Sequence, residues 1–270
     1  PIDVNLNYGF FNPKAGVTFS MNPNHQLYFS VARAHKEPNR TDFENGNPLP
    51  EELTDFELGW RHESERLRLN ANVYYMQYKN QLVLTGALDN VGEYLRENVE
   101  KSYRLGLELD ANIVLNDDFS LNSNFTLSSN KVQDLVINRD GALQNLGDTN
   151  IAFSPDIITT NAIEYAPSSK FRTALIGKYV GEQYMSNTDT EASKLPSYFV
   201  TDLNFSYIFN VKSVFKSIIF TGMVNNLFDL EYEDRGYTYL DTWSGPTSQE
   251  IQGYYPQATR NFLFGTTFIF

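Results

Sequence analysis

The sequence predicts an all-β chain folded as an antiparallel transmembrane β-barrel, with about eleven strands in these 270 residues. Three observations predict it. Apolar and polar residues alternate at a period of two over stretches of about nine to eleven residues, the length of a tilted strand crossing a bilayer. Short, turn-forming breaks alternate with long polar connections, which is the asymmetry of outer-membrane barrels. The composition is rich in strand-forming aromatics, with 20 Phe and 17 Tyr against 2 Trp.

Charge and hydropathy bound the reading further. Mean hydropathy is −0.40, and no run of about 18 apolar residues exists to form a membrane-crossing helix. A membrane barrel stays open, because its strands are only half apolar. The formal net charge of −12 opposes a nucleic-acid partner, which requires a basic surface to neutralise phosphates. There are no cysteines, hence no disulfide frame and no thiolate metal site. The opening residues PIDVNLNYGF lack the basic and apolar regions of a signal peptide, so an exported protein would carry its leader elsewhere.

Taken in order, strands are expected at 10–21, 26–36, 53–62, 67–79, 97–115, 119–131, 156–166, 170–185, 198–209, 218–232 and 257–270. Tight turns are expected at Asn22-Pro23-Asn24-His25, Glu63-Ser64-Glu65, Asn116-Asp117-Asp118, Pro167-Ser168-Ser169 and within 210–217, whose starts lie 41 to 53 residues apart. Asn, Asp, Ser and Pro supply the local hydrogen bonds and fixed dihedrals that such turns need. Between them run the long polar connections 37–52, 80–96, 132–155, 186–197 and 233–256. After Glu63, the residues Leu67, Leu69, Ala71, Val73 and Tyr75 oppose Arg68, Asn70, Asn72, Tyr74 and Met76. Likewise Tyr103, Leu105, Leu107, Leu109, Ala111 and Ile113 oppose Arg104, Gly106, Glu108, Asp110 and Asn112, and Phe119, Leu121, Phe125 and Leu127 oppose Ser120, Asn122, Asn124 and Thr126. One face therefore suits lipid and the other a wet lumen. Tyr74, Tyr75, Tyr78, Tyr179, Tyr184 and Tyr232 stand near strand ends, where an interfacial aromatic girdle is expected.

The last segment, QATRNFLFGTTFIF, puts Phe262, Phe264, Phe268 and Phe270 on one face and stops on an aromatic. It resembles the closing strand of bacterial outer-membrane barrels. Upstream, Asn225-Asn226-Leu227-Phe228-Asp229-Leu230-Glu231-Tyr232 resembles the penultimate-strand NNLFDxxY motif of TonB-dependent receptors. In the loop HKEPNRTDFENGNPLPEEL, Glu37-Pro38 and Asn47-Pro48-Leu49-Pro50-Glu51 partly match the family's strand-joining segment, with one residue fewer before Glu51. Haem-taking relatives often place a histidine inside this loop; here only His35 borders it.

That resemblance implies a 22-stranded barrel around an N-terminal plug, of which residues 1–270 would be the C-terminal half without the plug. It also implies residence in the bacterial outer membrane and import of a scarce nutrient, a ferric siderophore or other iron complex. Partners would be outer-membrane lipid, the remaining barrel half and plug, and the TonB energy complex acting through that plug. Phe268 and Phe270 would then serve as the assembly signal. A passive porin or adhesive barrel shares the strand pattern. A soluble β-propeller is a further alternative on the repeat spacing, though two long strands per repeat do not make a four-stranded blade.

No GxSxG, HExxH, GxGxxG or Walker loop is present, so neither an enzyme nor a bound cofactor is expected. His25, His35 and His62 lack helical metal-site spacing, so no metal site is expected either. The acids Glu51-Glu52 and Glu63/Glu65 read as solvated strand ends. The 233–256 connection instead concentrates Arg235, Tyr237, Tyr239, Trp243, Tyr254 and Tyr255. Aromatic faces beside a cation can stack on a flat or chelated ligand. These residues, with Arg40 of the 37–52 loop, are the ligand-binding candidates; the competing reading is that they pack the loop on itself.

Overall fold

The structure, a computed structural model, describes residues 5–44, 46–88, 92–139, 141–211, 214–241 and 249–270. Its strands are β1 (Lys14–Asn22), β2 (His25–Lys36), β3 (Glu51–Glu63), β4 (Leu67–Leu88), β5 (Tyr94–Val114), β6 (Phe119–Arg139), β7 (Ala142–Asn150) and β8 (Ile157–Ser168). They continue as β9 (Phe171–Val180), β10 (Gln183–Tyr184), β11 (Lys194–Leu195), β12 (Tyr198–Asn210), β13 (Ser217–Asn225), β14 (Glu233–Asp241), β15 (Gln249–Pro256) and β16 (Asn261–Ile269). One short helix, α1 (Arg40–Glu44), lies between β2 and β3. The main antiparallel sheet runs β1-β2-β3-β4-β5-β6-β8-β9-β12-β13-β16, with β7 added beside β6. That path holds eleven wall strands, and its ends β1 and β16 do not pair with each other.

Cross-strand register carries two unlike faces around the sheet. On one, Phe29 opposes Leu58, which opposes Val73, then Leu107, Leu127 and Ile157. The same face continues through Ile163, Leu175, Leu203, Val224 and Phe262. Leu58, Val73, Leu105, Leu127, Ile163 and Leu175 are exposed there, an apolar surface that calls for lipid. The opposite face is polar and hydrogen-bonded: Ser30 Oγ donates to Glu57 Oε2 at 2.9 Å and Asn112 Nδ2 to Asn122 Oδ1 at 2.6 Å. Tyr28 lies across Gly59, whose missing Cβ would stand 2.0 Å from its ring, and its hydroxyl reaches Asn72 Oδ1 at 3.1 Å. A side chain at that glycine would displace the tyrosine.

The short turns form as their residues dictate. Asn22 Oδ1 accepts from Asn24 N at 2.9 Å, Ser64 Oγ from Leu67 N at 3.2 Å, and Asn116 Oδ1 from Asp118 N and Phe119 N at 2.9 Å. Near this end, on the apolar face, rings make a belt: Phe119–Tyr165 at 4.6 Å, Tyr165–Phe171 and Phe171–Tyr207 at 6.4 Å, and Tyr207–Phe209 at 4.4 Å. Phe215 extends it to Phe268 and Phe270, at 5.1 and 4.9 Å. The girdle is thus built by these residues, not by most of the tyrosines expected. Tyr74 and Tyr78 turn to the polar face, Tyr75 and Tyr179 outward, and Tyr184 and Tyr232 lie beyond the wall strands.

At the other end the chain departs from the expected loops. Connections 80–96, 132–155 and 233–256 are largely hairpins, made by the extensions of β4, β5 and β6, by β7, and by β14 with β15. Val83, Val99, Val132, Leu135 and Ile151 bury one another here, so the apolar core sits in this cap and not in the wall. Left-handed residues Asn80 (φ 54°) and Asp134 (φ 49°) lie in β4 and β6 where the wall gives way to the cap. Four expected strands are shorter: β1 starts at Lys14 and not at residue 10, and β16 runs only over Asn261–Ile269. β9 stops at Val180, and β13 stops at Asn225 because Asn226 (φ 52°) and Asp229 (φ 60°) reverse the chain.

Candidate functional site

The segment NNLFDLEY is a clamp between strands. The buried Asn226 accepts Leu230 N on its Oδ1 at 2.8 Å and donates Nδ2 to Leu230 O at 2.7 Å and Ala258 O at 3.3 Å. Its own amide donates to Asp202 Oδ1 of β12 at 2.8 Å, while Asp229 Oδ1 accepts Arg260 N at 2.8 Å. These bonds fix where the chain leaves β13 and where it re-enters β16. They also hold residues 257–260 out of the strand expected from 257, and set the root of the β14–β15 hairpin.

The hairpin's upper part is held by residues 185–195. Met185, Ser193 and Leu195 are fully buried. Asn187 Oδ1 accepts Ala152 N at 2.8 Å and its Nδ2 donates to Leu84 O at 2.6 Å; Asp189 accepts Asn150 N and Nδ2 at 2.8 and 3.0 Å. Glu250 of β15 accepts from Thr190 Oγ1 at 2.6 Å and Ser186 Oγ at 3.3 Å. This segment joins β4, the β6–β7 hairpin and β15. The sequence carries little signal for it, since SNTDTEAS has the composition of any polar loop.

On β14, Arg235, Tyr237 and Tyr239 alternate onto one face, and Tyr255 of β15 stands opposite Arg235. Tyr237 stacks toward Tyr239 at 6.5 Å and Tyr255 at 5.8 Å, and its ring covers Gly253. Tyr239 and Tyr255 are 45% and 41% exposed, so the ladder offers ring surface to a ligand. Arg235 pairs with Asp234 at 3.1 Å; the hydrogen bond to that carboxylate raises its pKa, fixing a permanent cation at the ladder's foot. Tyr94 of β5 donates to Gly236 O at 2.6 Å and holds this edge down.

Beside the ladder is a cavity of about 650 Å³ lined by Glu97, Lys101, Asp134, Thr238, Tyr239 and Glu250. That volume suits a small-molecule ligand. Glu97 keeps an exposed surface, yet the packed hairpins around it withdraw water and raise the pKa of its carboxyl. The cavity therefore combines carboxylates, one lysine and a ring edge.

The sequence profile of the family described as TonB dependent receptor-like, beta-barrel, matches residues 2–227. The chain belongs to this family. TonB-dependent receptor barrels are receptors and not enzymes. No curated protein matches the chain. Solved structures share the fold: the ferric yersiniabactin uptake receptor FyuA of Yersinia pestis at 16% identity and TM-score 0.67, over 95% of this chain and 36% of that one. The ferric citrate transporter FecA superposes at 17% identity and TM-score 0.65, over 94% and 37%, and the copper transporter OprC at 15% and 0.64, over 94% and 39%. The chain thus spans little more than a third of the length of these structures.

Of the residues proposed from sequence, the fold brings Arg235, Tyr237, Tyr239 and Tyr255 together. Tyr254 occupies the opposite hairpin face, beside Gly236, where a Cβ would meet Met185 Sδ at 2.5 Å. Adjacent strand residues cannot share a face, so Tyr254, itself 39% exposed, lies over Gly236 and turns its ring away from the ladder. Trp243 lies outside the described residues. Arg40 sits on α1 and pairs with Glu44 at 2.9 Å, while α1 is tied to β5 by Asp42 and Arg96 at 3.7 Å. Glu51 and Glu52 are not bare strand ends, being ion-paired with Lys36 and Arg33. His25, expected in a turn and alone, starts β2, stacks on Trp60 at 5.7 Å and lies tilted against His62 at 4.5 Å.

Proposed function

We propose that the chain is the C-terminal part of a TonB-dependent outer-membrane receptor that imports a metal complex, with a ferric siderophore or similar iron chelate as cargo. The observation that carries this reading is the tyrosine ladder with Arg235, held beside a ligand-sized cavity in the cap over a barrel wall that is apolar outside and polar inside. Two of the similar structures are named for ferric chelates and one for copper, which supports a metal complex as cargo. Energy would come from the inner membrane through a plug outside these residues, and the hairpin cap would face the exterior. Extraction is expected to require detergent, and a stable monomer without it would sink the membrane placement.

Assembly and binding are expected to separate. Deleting Phe270 removes its contact with Phe215 at 4.9 Å and should lower the folded receptor in the membrane. Tyr239→Ala with Tyr255→Ala should leave that amount unchanged and weaken ligand binding, each ring contributing about 0.5 to 2 kcal/mol. Tyr254→Ala should instead loosen the hairpin. Membrane abundance and binding to ferric chelates, haem, cobalamin and oligosaccharides are the two measurements. Undiminished binding of every ligand by the double variant would reject the ladder as the site.

A further inference from the structure

We propose that the cargo selected by this site is a metal complex that carries a protonated amine and no net negative charge, and that polyanionic complexes are turned away. The inference rests on the proposed cargo site and narrows what that site admits. The cavity and the tyrosine ladder define the site, and the charges around them define the guest. Among the described residues, four carboxylates line the cavity, those of Glu97, Glu100, Asp134 and Glu250, against the single ammonium of Lys101. Lys101 stands 3.9 Å from Glu100, so these two offset each other. The remaining three converge from β5, β6 and β15, and none of them has a salt bridge among the described residues.

Glu250 is held by hydroxyls alone, Thr190 Oγ1 at 2.6 Å and Ser186 Oγ at 3.3 Å, which orient the carboxylate and leave its charge in place. Asp134 gives its amide to Asp148 Oδ1 at 3.1 Å, which brings a further carboxylate close. Glu97 loses water to the packed hairpins with no cation to offset the loss, and a guest ammonium would supply that cation. At the ladder's foot Arg235 is already paired with Asp234 at 3.1 Å, and residues 242–248 between β14 and β15 are uncharged. An ammonium group therefore finds two kinds of partner: the carboxylates attract its charge, and the exposed ring of Tyr239, on the same cavity, offers its negative face. Iron(III) held by three catecholates is a trianion and would meet the unpaired carboxylates with one lysine to answer it; like charges brought together away from water repel. Iron(III) held by three hydroxamates is neutral, so the side arms set the charge, and an amine on such an arm fits.

The test uses one ferric tris-hydroxamate in three forms, with a free amine arm, with that arm acetylated and with it succinylated, so that the complex is cationic, neutral or anionic around the same iron centre. Equilibrium dialysis of the radioactive-iron complexes against the full-length receptor in detergent micelles gives the affinities. Affinity should fall about tenfold from the amine to the acetyl form and further for the succinyl form, and added salt should narrow the gap. Glu97→Gln, Asp134→Asn and Glu250→Gln together should abolish the preference and leave the neutral form bound as in the parent. The control, Glu65→Gln with Asp117→Asn and Asp118→Asn, removes the same charge at exposed short turns and should keep the preference. Equal affinity of the parent for the three forms, tightest binding of the succinyl form, or tighter binding of a ferric tris-catecholate overturns the charge assignment and leaves the ferric-complex reading standing. So does a preference that survives in the cavity variant or vanishes equally in the control. A parent that binds neither the three hydroxamate forms nor the catecholate rejects the ferric-complex reading itself, and this inference with it. The parent's own series decides between these outcomes even where the cavity variant fails to fold.

Discussion

Replacing Asn226 by alanine is expected to destabilise the folded chain by about 3 kcal/mol, since a buried polar group left without its partner costs about 1 to 3 kcal/mol. The amide of Asn226 bonds Leu230 N, Leu230 O and Ala258 O, and it is only 4% exposed. Alanine would leave those three backbone groups without their present partner. It would also sit at φ 52°, where asparagine is tolerated and alanine is strained. Asn226→Gly separates the two effects, because glycine accepts the left-handed backbone and supplies none of the hydrogen bonds. Urea unfolding of the receptor in detergent micelles is the measurement. A loss under about 1 kcal/mol for alanine would show that the clamp is redundant with the Asp229–Arg260 bond, and glycine matching the parent would reduce the motif to a turn preference.

The strand wall was legible because each alternating face meets a uniform medium. Leu67 to Tyr75, Tyr103 to Ile113 and Phe119 to Leu127 need only know lipid from lumen, and period two records that difference. Turn chemistry was legible for the same local reason, as Asn22, Ser64 and Asn116 cap their own neighbours. The cap was not. Val83, Val99 and Val132 pack on one another across three strands, so neither face of those extensions meets water alone and the alternation fades. Asn226 and Asp229 read as strand residues beside an apolar run, and only their left-handed backbone shows that the strand has ended. Composition groups Tyr254 with Tyr255, although strand parity divides them. Position near a strand end points to tyrosines for the girdle, yet parity sends Tyr74 and Tyr78 to the lumen and leaves the belt mainly to phenylalanines.

Arginine at Leu107 is expected to cost about 2 to 4 kcal/mol, and arginine at Asn122 much less. Leu107 lies on the apolar face between Val73 and Leu127, mid-way along the wall, so its replacement would take a charge into hydrocarbon with no acceptor in reach. Asn122 lies on the opposite face between Asn112, with which it is hydrogen-bonded at 2.6 Å, and Ala162. There a guanidinium would lose one amide contact and gain water, with Asp110 and Glu164 on the same face of neighbouring strands. Comparing the two within the same two adjacent strands cancels differences in local strand stability and leaves the medium as the variable. Unfolding free energies in vesicles, with both variants at matched lipid composition, give the comparison. Equal penalties would mean that both faces meet the same medium, and the assignment of lipid to the leucine face would fall.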